Sequence, residues 1–178
     1  LEMFLNSTKI VSGQTLSVNI SEYNALNTYN NVSAATNWPA QTASIALCNS
    51  GYPLRMGVVR GYYSSTNISS VQPTQIGHVI DPNIVYACPI FLAPSFYNFQ
   101  PQSDNASWCV VSERGACYSP LSHVNSFNSS WVGENSAEGI PARSENLSPG
   151  SYTVVGGDEW GQMVLLHFLV YSSNNNAT

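Results

Sequence analysis

Residues 147–171 read Leu147-Ser-Pro-Gly-Ser-Tyr-Thr-Val-Val-Gly-Gly-Asp158-Glu-Trp-Gly-Gln-Met-Val-Leu-Leu-His-Phe-Leu-Val-Tyr171. The Ser-Pro-Gly turn leads into a strand with Tyr152 and Val154 on one face. Asp158-Glu-Trp-Gly161 then reverses the chain, with glycine free to take a positive φ. The returning segment, 162–171, is apolar at nearly every position, which predicts a strand in the middle of a sheet covered on both faces. Two strands and a tight turn here mark an all-β protein.

The rest of the chain agrees. Apolar residues alternate or run in short blocks rich in Val, Ile, Tyr and Phe, cut by Gly, Pro, Asn and Ser, with almost no helical periodicity. Strands are predicted over 1–11, 15–23, 42–48, 55–61, 77–80, 84–91, 108–112, 150–155 and 162–171, with long polar loops over 62–75 and 119–147. The fold expected is a single Ig-like or pilin-like β-sandwich with decorated loops and an N-terminal extension strand. Residues 1–11 form the extension, 12–173 the domain and 174–178 a polar tail that frays.

At 178 residues the chain is long enough for one domain with a substantial core, yet only 8% of it is charged, against ~25% in ordinary soluble domains. One lysine, four arginines and ten carboxylates give a net charge of -5, which excludes the basic footprint of a nucleic-acid binder. No run approaches the ~20 apolar residues of a membrane span. No targeting peptide is visible, so the chain reads as a mature form beginning at Leu1. Amide and hydroxyl replace charge. Nineteen asparagines and thirty-five Ser/Thr would produce roughly four Asn-x-Ser/Thr triplets by chance, and eight occur. Pro149 follows the Asn146 triplet and hinders transfer there. The acceptors predicted are Asn6, Asn19, Asn31, Asn67, Asn105, Asn128 and Asn176, and with them an extracellular, glycan-coated surface.

The cysteines fit an oxidising compartment. Cys48, Cys88, Cys109 and Cys117 contain no C-x-x-C and no histidine at zinc spacing, and four cysteines allow three pairings. The segment 109–117 reads as two strand ends around a Glu-Arg-Gly turn, so a hairpin bridge Cys109–Cys117 is one expectation, leaving Cys48–Cys88 to join two separate strands. No cofactor is implied. Lipase-type, zinc-protease, phosphate-loop and EF-hand motifs are all missing, and Asp81, Asp104 and Asp158 are the only aspartates, so no enzyme is expected. Glu134 and Glu138 sit in a Gly/Ser-rich stretch and read as solvated charges rather than a glycosidase pair. Cys117, His123 and His78 have the residue types of a blue-copper site, but no methionine follows His123 at usable spacing. His167, inside an apolar strand, reads as a hydrogen-bonded core residue, and Lys9 as an exposed lysine at a strand end.

The beginning of the chain is the anomaly. The segment 13–23 looks like the first strand of an extracellular sandwich, with Leu16, Val18 and Ile20 in phase, which leaves 1–12 in front of it. There Leu1, Met3 and Leu5 share one face, Glu2, Asn6 and Thr8 the other, and Phe4 breaks the pattern. An apolar strand at a terminus must pair with its own domain or with another. In a neighbour's vacant sheet edge, Leu1, Met3 and Leu5 would be the inward plugs of a donor strand, and head-to-tail donation of this kind builds a filament of identical subunits.

The opening Leu1-Glu-Met-Phe-Leu-Asn-Ser-Thr8, the closing Gly156-Gly-Asp-Glu-Trp-Gly-Gln-Met-Val-Leu-Leu-His-Phe168 and the low-charge, Asn/Ser/Tyr-rich composition resemble the subunits of threads, the thin glycosylated cell-surface filaments of Sulfolobus-type thermoacidophilic archaea. That resemblance implies joining by N-terminal donor strands, dense N-glycans and a role in adhesion or cell–cell contact. With so few carboxylates, folding is expected to depend weakly on pH. The rival expectation is a lectin-like, carbohydrate-binding domain of a secreted or viral surface glycoprotein, with Tyr62, Tyr63, Phe96, Tyr97, Phe99 and Trp131 available to stack on sugars.

Overall fold

The computed structural model describes residues 1–34, 39–42, 45, 53–71, 76–78, 96–109, 117–118, 122–128, 130–134 and 141–173. For 78, 107–109, 117–118, 122–128, 130–134 and 141–146 it describes the backbone alone. The described residues are mostly β-strand, in several small sheets, with no α-helix.

The N-terminal segment forms two strands, β1 (Glu2–Leu5) and β2 (Lys9–Val11), rather than the single strand expected. After them come β3 (Thr15–Ser21), β4 (Asn30–Ser33), β5 (Leu54–Arg60), β6 (Gly77–His78), β7 (Phe96–Phe99), β8 (Ala106–Cys109), β9 (Cys117–Tyr118) and β10 (Ser122–Asn128). The last four are β11 (Ser130–Glu134), β12 (Pro141–Asn146), β13 (Gly150–Asp158) and β14 (Met163–Tyr171). They pair in the orders β1-β3-β10, β2-β14-β13-β5-β6, β4-β7-β8-β9 and β11-β12. Every pairing is antiparallel except β2 with β14.

Strands β10, β11 and β12 lie in 119–147, a stretch expected to be loop. Their hydroxyl- and amide-rich sequences carry little apolar signal, yet β10 pairs along all of β3, and the ladder satisfies its backbone whatever its side chains. At the expected strand 42–48, Thr42 N–H donates to Pro39 O (3.0 Å) and Ile45 N–H to Thr42 O (3.1 Å). Those are turn bonds, and the rest of 42–48 lies outside the described residues. The expected strand 84–91 lies outside the described residues, as do 110–112 and the tail 174–178.

One cluster takes buried side chains from two sheets: Leu5, Ile10, Leu16, Val18 and Ile20 from the start of the chain, and Met56, Val58, Tyr152, Val154 and Phe168 from β5, β13 and β14. A second cluster, with Ile45, Val59, Ile68, Val71, Ile76 and Val155, covers the other face of the five-stranded sheet. Strands β13 and β5 are both buried on both faces, with β13 at the centre of that sheet. Strand β14 was expected to hold that position; it is half-buried and lies next to the edge, because only β2 stands beyond it.

Candidate functional site

The N-terminal segment links two sheets. Strand β1 runs antiparallel to β3, placing Met3 opposite Ile20 and Leu5 opposite Val18. Residues 6–8 turn the corner. Asn6 N–H donates to Ser17 O (3.1 Å) and Asn6 Oδ1 accepts from Ser17 N–H (2.8 Å), while Ser7 Oγ donates to Lys9 O (2.6 Å). The segment then joins the other sheet as β2, parallel to β14, with Ile10 opposite Val170. The corner shifts the inward phase from odd residues (Leu1, Met3, Leu5) to the even Ile10, so one short segment seals the core from both sheets.

Leu1, Met3 and Leu5 share the core-facing side of the segment. The Leu1 side chain is 1% exposed, Leu5 is buried, and Met3 packs against the main cluster. Met3 has a matching hole: a Cβ built on Gly156 of β13 would lie 2.6 Å from Met3 Sδ and 2.8 Å from Ile20 Cδ1. The missing side chain of Gly156 thus makes the space that Met3 fills. In this structure the segment pairs within its own chain, and a three-residue turn joins it to β3. Gln14 N–H donates to Val11 O (2.9 Å), Val11 N–H donates to Gln14 Oε1 (2.8 Å), and Gly13 has φ +96° with nothing within 4 Å of its Cβ position.

Among the expected glycan acceptors, Asn6, Asn31 and Asn67 are exposed, and Asn19 and Asn105 are half-buried. Asn128 ends β10, where the backbone alone is described, and Asn176 lies outside the described residues. Cys48 and Cys88 also lie outside them. Cys109 and Cys117 are register partners on β8 and β9. Directly opposed antiparallel residues have Cα atoms ~4.5–5.5 Å apart, inside the range a disulfide spans. Peptide mapping without reduction is accordingly expected to recover a Cys109–Cys117 cross-link, and recovery of either cysteine bonded to Cys48 or Cys88 would refute it.

The aromatic residues read as sugar platforms divide. Tyr97 is 0% exposed and Phe99 3%, both in a third cluster with Ala106, so neither presents a face to a ligand. Tyr63 packs against the second cluster. Phe96 and Tyr62 are exposed, and Tyr62 stacks on His167 with centroids 3.8 Å apart, while His167 Nε2 bonds Tyr63 O at 2.7 Å. Trp131 is on β11, backbone only. Of the copper-type residues, His78, Cys117 and His123 fall on strands of three different sheets. No group of three or more His, Cys, Asp or Glu that could hold a metal occurs among the described residues. Glu134 ends β11 and Glu138 lies outside the described residues.

A cleft that sequence reading missed opens beside the β13–β14 turn. It has a volume of about 270 Å³, with Glu22, Tyr23, Asn30, Phe99, Trp160 and Gln162 among its walls. Trp160 is anchored by Nε1 donating to Ser33 O (2.9 Å) and stands edge-on to Tyr97 and Phe99. Asp158, 0% exposed, holds the turn: Oδ1 accepts from Trp160 N–H (2.9 Å) and Gln162 N–H (2.8 Å). Glu22 Oε1 accepts from Gln162 Nε2 (3.2 Å), and Oε2 is 4.0 Å from the Leu1 amino group. Burial pushes the Glu22 carboxyl above the usual carboxylate range, opposed by the Leu1 amino group and reinforced by Asp158. Burial likewise pushes Asp158 up, against the lowering effect of the backbone N–H bonds it accepts. No spacing announces this pair, because Glu22 follows β3 and Asp158 ends β13.

No family model matches the chain. No curated protein matches it either. Among solved structures, a β-glucosidase from Listeria innocua in complex with gluconolactone aligns over 95% of this chain at 10% identity and a TM-score of 0.38. The β-glucosidase of that organism in complex with glucose aligns at 10% identity and 0.37. The chain spans 16% of the length of either. At that identity and score the likeness assigns neither fold nor chemistry.

Proposed function

We propose that the chain is an Ig-like β-sandwich subunit of an extracellular, glycosylated filament, polymerising head to tail by exchange of its N-terminal strand, with a role in surface adhesion or cell–cell contact. The observation that carries this reading is the N-terminal segment itself. Leu1, Met3, Leu5 and Ile10 complete a core shared by two sheets, and the turn at 12–14 connects the segment to β3. If that turn straightens, the segment can leave its own slot and fill the same slot in a neighbour, keeping every contact and closing no ring. Burial of Leu1, Met3 and Leu5 is worth roughly 5–8 kcal/mol before entropy losses, enough for a long-lived joint. A segment that pairs with both sheets also supports the sandwich architecture.

Negative-stain microscopy and mass determination of the full chain beside a variant lacking residues 1–11 test the proposal. The expected result is thin linear polymers from the full chain and monomers from the variant, which then bind a synthetic peptide of residues 1–11. If the full chain stays monomeric at every concentration, strand exchange fails.

The cleft walled by Trp160, Tyr23 and Glu22 favours a second reading, a carbohydrate-binding domain. Saturable binding of glucose or mannose by monomeric protein, lost on Tyr23→Ala, would favour that reading.

A further inference from the structure

Phe4 is the residue that breaks the alternation of the N-terminal segment, and it is 69% exposed on the outer face of its sheet. Directly across the ladder from it, on β3, stands Asn19, whose triplet ends at Ser21 on the same face. The neighbouring register pair is Glu2 with Ser21. A shallow groove of about 430 Å³ lies over these residues, walled by Glu2, Met3, Phe4, Asn19, Ser21 and Val164. Asn6 and Asn67 each use Oδ1 as an acceptor from a backbone N–H. Asn19 Oδ1 is buried and has no hydrogen-bond partner. An exposed phenyl ring, an acceptor asparagine opposite it and an open groove over both are the parts of a platform for a tethered sugar.

We propose that Asn19 carries an N-glycan whose first pyranose lies in this groove and stacks on the ring of Phe4, clamping β1 to β3. This rests on the glycosylated, extracellular reading above and extends it: the strand that is exchanged carries the ring, and the sheet that receives it carries the sugar. Cross-strand pairs have Cβ atoms ~4.5–5.5 Å apart, so a sugar linked to Asn19 begins beside the ring. The C–H face of a pyranose is apolar and slightly positive and fits the negative face of the ring. A groove of this size, near the lower end of ordinary ligand sites, holds the first sugar without rearrangement. The clamp gives a physical reason for an aromatic side chain exposed on a strand at the edge of its sheet.

The test uses the full chain secreted from a host that N-glycosylates, with site-by-site peptide mass spectrometry and thermal melts of four proteins: the parent, Phe4→Ala, Asn19→Gln and the double variant. Occupancy at Asn19 is expected, with Phe4→Ala lowering Tm by about 2–4 °C in the parent and leaving it unchanged in the Asn19→Gln background. Phe4→Trp, which keeps a ring face, should retain the parental Tm, and Phe4→Leu should not. An unmodified Asn19 in protein glycosylated at Asn31 or Asn67 overturns the inference, and so does an equal loss from Phe4→Ala with and without the glycan. These readouts need no polymer. Polymers without the coupling sink the clamp alone, and coupling without polymers sinks the filament alone.

Discussion

Gly156→Val is expected to expel the N-terminal strand and cost about 1–3 kcal/mol. The position lies in β13, a strand buried on both faces, and its missing side chain is the hole that Met3 occupies. A single Cβ there already meets Met3 Sδ at 2.6 Å and Ile20 Cδ1 at 2.8 Å, both ends of flexible side chains, so alanine can be absorbed by rotation. The two further methyls of valine leave Met3 no room. The Asn6 N–H, bonded to Ser17 O at 3.1 Å, should then exchange with solvent much faster, while amides in the body of β13 stay protected. Urea titration and hydrogen exchange measure both effects. Met3→Ala vacates the same space, so adding it to Gly156→Val should cost less than the two separate losses together. If the Asn6 amide stays protected in Gly156→Val, Met3 is not what holds the strand.

The second large effect is on pH dependence. Composition alone predicts a weak dependence, and the buried carboxyls of Glu22 and Asp158 give it a direction. Both pKa values are raised by folding. Between the unfolded and folded values the unfolded chain therefore holds fewer protons, and stability falls as pH rises. This contribution is fully present below the ordinary carboxylate range, around ~4, and is lost as pH climbs through the folded values. The protein should melt higher at pH 3 than at pH 7. Asp158→Asn keeps an oxygen for the Trp160 and Gln162 amides and cannot ionise, so it should raise stability at pH 7 and flatten the profile. Asp158→Ala strips the turn of its acceptor, which should cost about 1–3 kcal/mol at either pH. A Tm at pH 7 equal to or above that at pH 3 would show that the pair does not control the profile.

The β-rich character was legible because alternation and turn residues carry it: β3 shows Leu16, Val18 and Ile20 in phase, and the Asp158 turn separates β13 from β14. The inward phase of Leu1, Met3 and Leu5 was legible for the same reason. The division at residues 6–8 was not, although its trace is there: odd residues face in up to Leu5 and the even Ile10 thereafter. Phe96-Tyr-Asn-Phe99 was read as surface aromatics, yet Tyr97 and Phe99 have the period of a strand and lie in a core. Strands β10 to β12 were hidden because a polar strand declares itself only through its partner. The cleft was invisible because tertiary folding brings Glu22, Phe99 and Trp160 together from three separate stretches of chain.

The corner at residues 6–8 also has a mechanical consequence. In a polymer joined by this segment, tension would enter at Val11 and run along the axes of β2 and then β1. The ladder bonds of both strands lie across that axis, so they would be loaded in shear, together, instead of being peeled open one at a time. The bend between the two sheets, with Leu5 and Ile10 buried on either side of it, would act as a barb against lengthwise sliding. A short strand anchored in this way can be weak to thermal fraying and still hold against a steady pull.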